Sequence, residues 1–261
     1  MRITYRSENT RDYWKRRWSS TDLDSFDTNE DIYPIKYANL AIGNNRGTIL
    51  EAGCGAGRVV MYYHQRGFDI TGFDYIEDVV ANLKHAHPQL KVEFGDIYNL
   101  KYDTASFDYL LAFGLFHGLE HNLDGALRES ARVLKPGGRI CLSFRADNLQ
   151  TLFSDYIYRL KKRQWVLRNR IFHKYNISRN ELRALLTRNG FRVIEIYRAE
   201  NMPFFYKFRL FRHKSHKVFD EPRARAEGYR LSKLGDFVQR TMLKLFPEQF
   251  CNLYVAIAER T

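Results

Sequence analysis

The chain of 261 residues is long enough for one α/β domain with a substantial core and room for insertions. Its 44% hydrophobic and 28% charged content is ordinary for a globular protein, and no apolar run approaches the roughly 20 residues that cross a bilayer, which excludes an integral helical membrane protein. The net charge of +12 belongs to the second part: residues 1–145 carry 18 Lys+Arg against 19 Asp+Glu, whereas residues 146–261 carry 24 against 11. That asymmetry points to an anionic partner, the plainer alternative being a solvated basic surface. Cys54, Cys141 and Cys251 are odd in number and have neither metal-ligand spacing nor the pattern of a disulfide framework. The first residues lack the apolar core of a secretory signal. A reduced, cytoplasmic protein is expected, with peripheral membrane contact left open.

Residues 48–52 form a short apolar run that ends in glycines, as a buried strand does. Residues 58–65 read as a helix stopped by Gly67, residues 69–73 as a second strand ending at Asp74, and residues 76–86 as a helix with Pro88 just beyond. Residues 90–94 and 107–112 are the third and fourth strands. The helix over 123–134 places Ala126, Leu127, Ser130, Val133 and Leu134 near one face. Pro136-Gly137-Gly138 predicts a turn before a fifth strand at 139–144. Late in the chain, Ser178 caps a helix over 179–188, residues 191–197 make a sixth strand, and residues 252–258 make a seventh. Strands alternating with helices predict an α/β, Rossmann-like, seven-stranded and mostly parallel sheet with helices on both faces.

Residues 146–177 and 199–250 stand outside that alternation. The expected organisation is therefore a cofactor-binding core over 1–145 with an N-terminal helical element, a helical cap insertion over 146–177, a core helix and strand over 178–198, a second helical cap insertion over 199–250, and the last core strand over 251–261. In the second insertion Phe204, Phe208 and Phe211 recur at i, i+4 and i+7, one face of an α-helix, with Lys207, Arg209 and Arg212 off it. Such a basic amphipathic stretch suits an anionic membrane or an anionic, partly apolar substrate, or else packs the cap onto the sheet.

The first strand leads into Glu51-Ala52-Gly53-Cys54-Gly55-Ala56-Gly57. Glycines here let the backbone turn tightly and approach a ligand, with the next helix pointing its amino end at it. A dinucleotide motif would carry its third small residue where Arg58 stands, which weakens a nicotinamide reading. The segment resembles motif I of the class I S-adenosylmethionine-dependent methyltransferases, type 11 branch, which includes ubiquinone- and menaquinone-biosynthesis enzymes. The match extends to Asp74, to Gly95-Asp96-Ile97, to Phe107-Asp108-Tyr109-Leu110-Leu111-Ala112 and to the helix–turn–strand from Ala126 to Arg139. The resemblance implies S-adenosyl-L-methionine as cofactor, with Asp74 on the ribose hydroxyls, Asp96 on the adenine amino group and Ile97 giving a backbone N–H and an apolar wall. Glu51, Gly53, Gly55, Gly57, Tyr75 and Phe113 complete the implied set within the core. Asp12-Tyr13-Trp14-Lys15-Arg16-Arg17-Trp18 resembles the aromatic element that precedes motif I in this branch and implies Tyr13, Trp14 or Arg17 over the methionine end of the cofactor; a surface helix with an aromatic face is the alternative.

Methyl transfer from a sulfonium is an in-line displacement in which alignment does most of the work, and a base is needed only when the nucleophile arrives protonated. His117, after the fourth strand, is the best-placed base, its alternative being a packing histidine. Asp147-Asn148 is not an oxygen cage for Mg²⁺, so no metal is expected. An Asn/Asp-Pro-Pro-Tyr motif and a Pro-Cys nucleophile, marks of nucleic-acid methylation, are missing from the sequence. The expected acceptor is therefore a small molecule or a lipid- or sugar-linked intermediate, anionic in view of the basic insertions, with O- or N-methylation open. Nucleic acid is the less favoured partner, although an RNA-modifying enzyme or RNA-binding protein using the basic region is the competing reading.

Overall fold

The structure is a computed structural model that describes residues 1–6, 14–15, 18, 29–161, 171–218 and 228–261. The expected strands form. They are β2 (Ile49–Ala52), β3 (Ile70–Asp74), β4 (Lys91–Phe94), β5 (Phe107–Ala112), β6 (Leu134–Ala146), β8 (Phe191–Ala199) and β9 (Leu253–Arg260). β4, β3, β2, β5 and β6 lie side by side in parallel, and β9 runs antiparallel between β6 and β8. The mostly parallel α/β sheet read from the alternation is thus present.

Helices cover both faces, which is why β2 is buried along its whole length. On one face pack α1 (Ile35–Ile42), α2 (Arg58–Gln65) and α3 (Glu77–Ala86), contributing Ile35, Ala38, Val59, Val60 and Leu83 to one core cluster. On the other pack α4 (Leu123–Val133) and α6 (Arg179–Arg188), contributing Ala126, Leu127, Leu182 and Leu186. Ser178 caps α6 through a reciprocal pair with Glu181 that satisfies the first free backbone donors, as its position predicts.

Two expectations differ from the structure. Among the described residues the sheet has nine strands, where seven were expected. A strand, β1 (Arg2–Arg6), precedes the N-terminal element, of which Trp14, Lys15 and Trp18 are described and helical, and β1 pairs antiparallel with β7 (Ile171–Ile177). β7 takes the second half of the 146–177 insertion away from the helical cap: Tyr175 packs against the core, and Ile177, two residues on and so on the same face of the strand, lies within it. The helical half of that insertion is α5 (Leu149–Lys161). Residues 162–170 lie outside the described set.

In the second insertion the phenylalanine stripe is not one α-helical face. It divides into 3-10 turns at Phe204–Lys207 and Arg209–Phe211, and Phe208 between them is extended at φ −104°. The rings gather on one another and on Phe250 rather than on one side of a cylinder, with Phe205 and Phe250 stacked 6.3 Å apart and Phe204 and Phe208 edge-on at 5.5 Å. α7 (Lys233–Leu245) and the short α8 (Pro247–Phe250) complete the segment.

Both insertions leave the same row of the sheet, because Leu253 of β9 pairs with Arg145 on one side and Ala199 on the other. They also meet: Phe153 of α5 packs on Phe204 at 6.0 Å, and Lys207 Nζ donates to Ser154 Oγ at 2.5 Å.

Candidate active site

The glycine loop between β2 and α2 is held by backbone bonds. Gly53 and Cys54 N–H groups both donate to the Phe73 carbonyl at 2.9 Å, and Gly57 N–H donates to the Cys54 carbonyl at 2.9 Å. Two positions require glycine. Gly55 has φ +52°, and a Cβ there would come within 2.8 Å of the Trp18 indole. Gly57 has φ +80°, and a Cβ there would lie 2.6 Å from Leu83 Cδ2. The left-handed backbone and the close approach together leave no space for a side chain.

Asp74 ends β3 and turns back onto this loop. Its Oδ2 accepts from Gly55 N–H at 2.9 Å and its Oδ1 from Ile76 N–H at 3.0 Å. Each carboxylate oxygen keeps a second lone pair for a ligand hydroxyl. Burial raises the carboxyl above its ordinary range, opposed by these backbone N–H groups. Glu51 is buried inside β2, and its Oε2 accepts from Val60 N–H at 3.0 Å, which satisfies a free donor in the first turn of α2. Burial pushes the Glu51 carboxyl up to about 8.

Asp96, after β4, is partly buried and accepts from Tyr98 N–H at 3.0 Å, while the adjacent Ile97 is buried. Tyr75, half exposed, packs on Phe94 with ring centroids 5.8 Å apart. Phe113 follows β5 and meets Tyr33 edge-on at 5.6 Å. Tyr33 shares a hydrogen bond with Ser143 Oγ at 3.0 Å, and Ser143 Oγ accepts from Gly114 N–H at 2.9 Å.

Of the N-terminal element, Trp14 stacks on Trp18 at 5.4 Å and Lys15 pairs with Asp78 at 2.6 Å. The ring on the glycine loop is Trp18, outside the set that the resemblance implies. Its signal was the i, i+4 spacing from Trp14, which puts both indoles on one helical face. Arg17 lies outside the described residues.

His117 stands in the 3-10 turn Phe116–Gly118, directly after β5, with its ring 6.3 Å from Phe144. It is buried, and its Nδ1 has no hydrogen-bond partner among the described residues. Burial, reinforced by the charges of Lys174 and Arg145, holds its pKa well below the usual imidazole range, so the ring is neutral. Asp147 and Asn148 are engaged elsewhere: Asp147 accepts from Arg2 Nε at 2.6 Å, and Asn148 Nδ2 donates to the Glu248 and Cys251 carbonyls. Among the described residues no group of three His, Cys, Asp or Glu is placed to hold a metal ion.

A cavity of about 460 Å³ lies beside this region, bounded by Tyr33, Tyr37, Arg198, Glu200 and Cys251. Burial raises the Glu200 carboxyl to about 7, and Gln239 donates a hydrogen bond to it.

The donor set therefore suits a nucleoside: a backbone cradle free of side chains, a buried acid at the end of β3 and a second acid after β4 beside an apolar wall. A family model described as a methyltransferase domain matches residues 50–142. That stretch contains the glycine loop, Asp74, Asp96 and His117. Residues 50–142 are a class I methyltransferase domain of type 11. A Mycolicibacterium smegmatis protein named a probable S-adenosylmethionine-dependent methyltransferase is 31% identical over 113 residues, 42% of this chain and 43% of the relative. A malonyl-[acyl-carrier protein] O-methyltransferase of Pectobacterium atrosepticum is 30% identical over 112 residues, 43% of this chain and 44% of the relative. The matches thus span less than half the length of these relatives. The crystal structure of the PH0226 protein from Pyrococcus horikoshii superposes over 96% of this chain and 99% of its own with a TM-score of 0.60 at 16% identity, a likeness of fold. S-adenosylmethionine is the cofactor of the methyltransferase domain's family.

Proposed function

We propose that this chain transfers a methyl group from S-adenosylmethionine to an anionic small-molecule or lipid- or sugar-linked acceptor. The observation that carries the first half is the cradle: a loop with no room for a Cβ at Gly55 or Gly57, tied by its backbone to the Asp74 carboxylate. Asp74 receives the ribose hydroxyls, Asp96 and Ile97 hold the adenine, and Tyr75, Phe113, Trp14 and Trp18 enclose the remainder. Glu51 acts through the loop by fixing the start of α2. Arg17 belongs to this set by resemblance alone.

The cofactor supplies an electrophilic methyl. The chain's own contribution is to align the acceptor, which is worth up to roughly 7–11 kcal/mol, and to exclude water. His117, neutral and with a free Nδ1 near the carboxyl end of β5, is the candidate base for an acceptor that arrives protonated.

The anionic half of the reading is supported by the convergence of the basic insertions on the carboxyl edge of the sheet, the edge where ligands of open α/β sheets bind. The malonyl-carrier relative named above acts, by its name, on an acidic acceptor delivered by a carrier, which agrees with this class. Peripheral membrane contact fits a lipid-linked acceptor. α5 exposes Leu149, Leu152 and Leu160, and α7 exposes Leu234, Phe237 and Leu245. Among the described residues no helix is long and apolar enough to cross a membrane.

The test is to incubate the protein with methyl-labelled S-adenosylmethionine and matched pairs of acceptors, each phosphorylated or carboxylated compound beside its neutral analogue. Label should pass to anionic members. Label passing equally to the neutral partners would overturn the anionic reading.

A further inference from the structure

β6 and β7 lie in parallel register at their ends, with Arg145 beside Asn176. Register partners share a face of the sheet, and so does Lys174, two residues before Asn176. Ser143, two residues before Arg145, continues the row, and its bond from Gly114 N–H at 2.9 Å joins it to the loop after β5. Lys207 arrives from the second insertion, where it donates to Ser154 Oγ at 2.5 Å. The row thus connects the loop that carries His117 to both halves of the cap.

Cations outnumber acids here. Asp147 and Asp155 both bind Arg2, at 2.6 and 2.8 Å, and Arg6 lies 4.2 Å from the centroid of the Tyr158 ring. Among the described residues Arg145, Lys174 and Lys207 form no ion pair. Nor are the enclosed nitrogens met: Arg145 Nε, Asn176 Nδ2, His117 Nδ1 and His173 Nε2 have no hydrogen-bond partner among the described residues. Asn176, His117 and His173 are only 1, 9 and 9% exposed. Buried polar groups are as a rule hydrogen-bonded, so unmet nitrogens beside unpaired cations mark a place shaped for a ligand that accepts many hydrogen bonds. A carboxylate offers two oxygens and one charge; a phosphoryl group offers three oxygens and nearly two charges, and matches this set better.

We propose that Arg145, Lys174, Asn176 and Lys207 form the seat of a phosphoryl group on the acceptor, an inference that rests on the methyltransferase reading above. Seated there, the phosphoryl group anchors the acceptor on the row that leads through Ser143 to Gly114, so its nucleophile can face the loop after β5. The protonation states agree. Burial, with repulsion from Arg145, holds the Lys174 ammonium well below its usual range and Lys207 at about 8. Burial, with Lys174, Arg6, His117 and Arg145 around it, takes His173 down to about 2. A dianion in their midst reverses the repulsion, so its binding should draw protons onto these groups.

The experiment titrates the whole chain with inorganic phosphate at constant ionic strength while following the His117 and His173 ring resonances, with acetate as the carboxylate probe. Calorimetry with S-adenosylhomocysteine runs in parallel. Phosphate should shift the resonances of both imidazoles, acetate much less. Lys207→Gln, and separately Arg145→Gln, should weaken phosphate binding about tenfold or more, the expectation for losing a charge-assisted bond, while S-adenosylhomocysteine affinity stays as in the parent. No movement of either ring, or equal movement in the variants, overturns the seat. If S-adenosylhomocysteine fails to bind the parent protein, the methyltransferase reading falls, and the phosphate titration judges the seat separately. Vesicles of phosphatidylcholine with phosphatidic acid separate the two sources of a phosphoryl group. Sedimentation of the parent but not of the variants assigns a lipid headgroup. Phosphate binding without sedimentation assigns a soluble phosphoester. Either supports the seat.

Discussion

The cofactor side and the cap side of this molecule are built in opposite ways. Around the glycine loop the recognising groups are backbone N–H groups and buried acids, and they already bind one another: Asp74 to Gly55 and Ile76, Glu51 to Val60. Where β6 and β7 meet the cap, the groups are long basic side chains and imidazoles whose enclosed nitrogens are unmet among the described residues. The first region is a finished piece of fold. The second is left unfinished by the fold, and a ligand is the simplest completion. A backbone site ties recognition to folding, whereas a side-chain site can change its specificity without touching the sheet.

The difference predicts opposite signs for substitutions in the two regions. The largest effect on binding belongs to Gly55→Val. It forces a β-branched residue into φ +52° with its Cβ 2.8 Å from the Trp18 ring. S-adenosylhomocysteine affinity measured by calorimetry should fall at least about a hundredfold, roughly 2.8 kcal/mol. Asp74→Ala comes next, with a loss of about tenfold or more in the same measurement, because the loop loses its tie and the ribose its acceptor together. Undiminished affinity in both variants would remove the cofactor assignment.

Glu51→Gln isolates one buried acid. A carboxyl whose folded pKa is raised to about 8 binds a proton more tightly than in the unfolded chain. Its contribution to stability is therefore complete below the ordinary carboxyl range and is lost as pH rises toward 8. Urea denaturation of parent and variant should show the parent losing roughly 3–4 kcal/mol relative to Glu51→Gln between pH 5 and 8. Parallel pH profiles would show that Glu51 is not held protonated.

The smallest effect has the opposite sign. Arg145→Met removes a cation with an enclosed and unmet Nε and should raise stability by about 1 kcal/mol, read as a higher denaturation midpoint. A stabilised variant sharpens the contrast between the two regions; a strongly destabilised one would mean that the fold itself satisfies Arg145.

Much of the cofactor side was legible in the sequence because each signal there is local. Strand, glycines, helix and acid follow one another in the chain, and hydrophobic runs such as residues 49–52 and 107–112 permit one reading. The cap was less legible. Residues 171–177 read as part of a basic insertion because the partner of β7 is β1, some 170 residues away in sequence, and alternation alone did not reveal it. The i, i+4, i+7 spacing of Phe204, Phe208 and Phe211 satisfied a helical pattern, yet their rings pack on Phe205 and Phe250, a tertiary choice that spacing does not contain. Charge counting pointed to a part of the chain and not to single residues: Lys174 and Lys207 are two among 24 Lys and Arg in residues 146–261, Arg145 stands just before that stretch, and register places Arg145 beside Asn176. Trp18 was passed over for Trp14 because which of two stacked indoles touches the loop depends on how the element docks.

The most direct test of the central claim is a crystal structure with S-adenosylhomocysteine bound. The ribose hydroxyls should lie on Asp74, the adenine beside Asp96 and Ile97, and the sulfur at the glycine loop facing His117 and the row from Ser143 to Arg145. A nucleoside bound elsewhere, or a sulfur directed away from that row, would contradict the account.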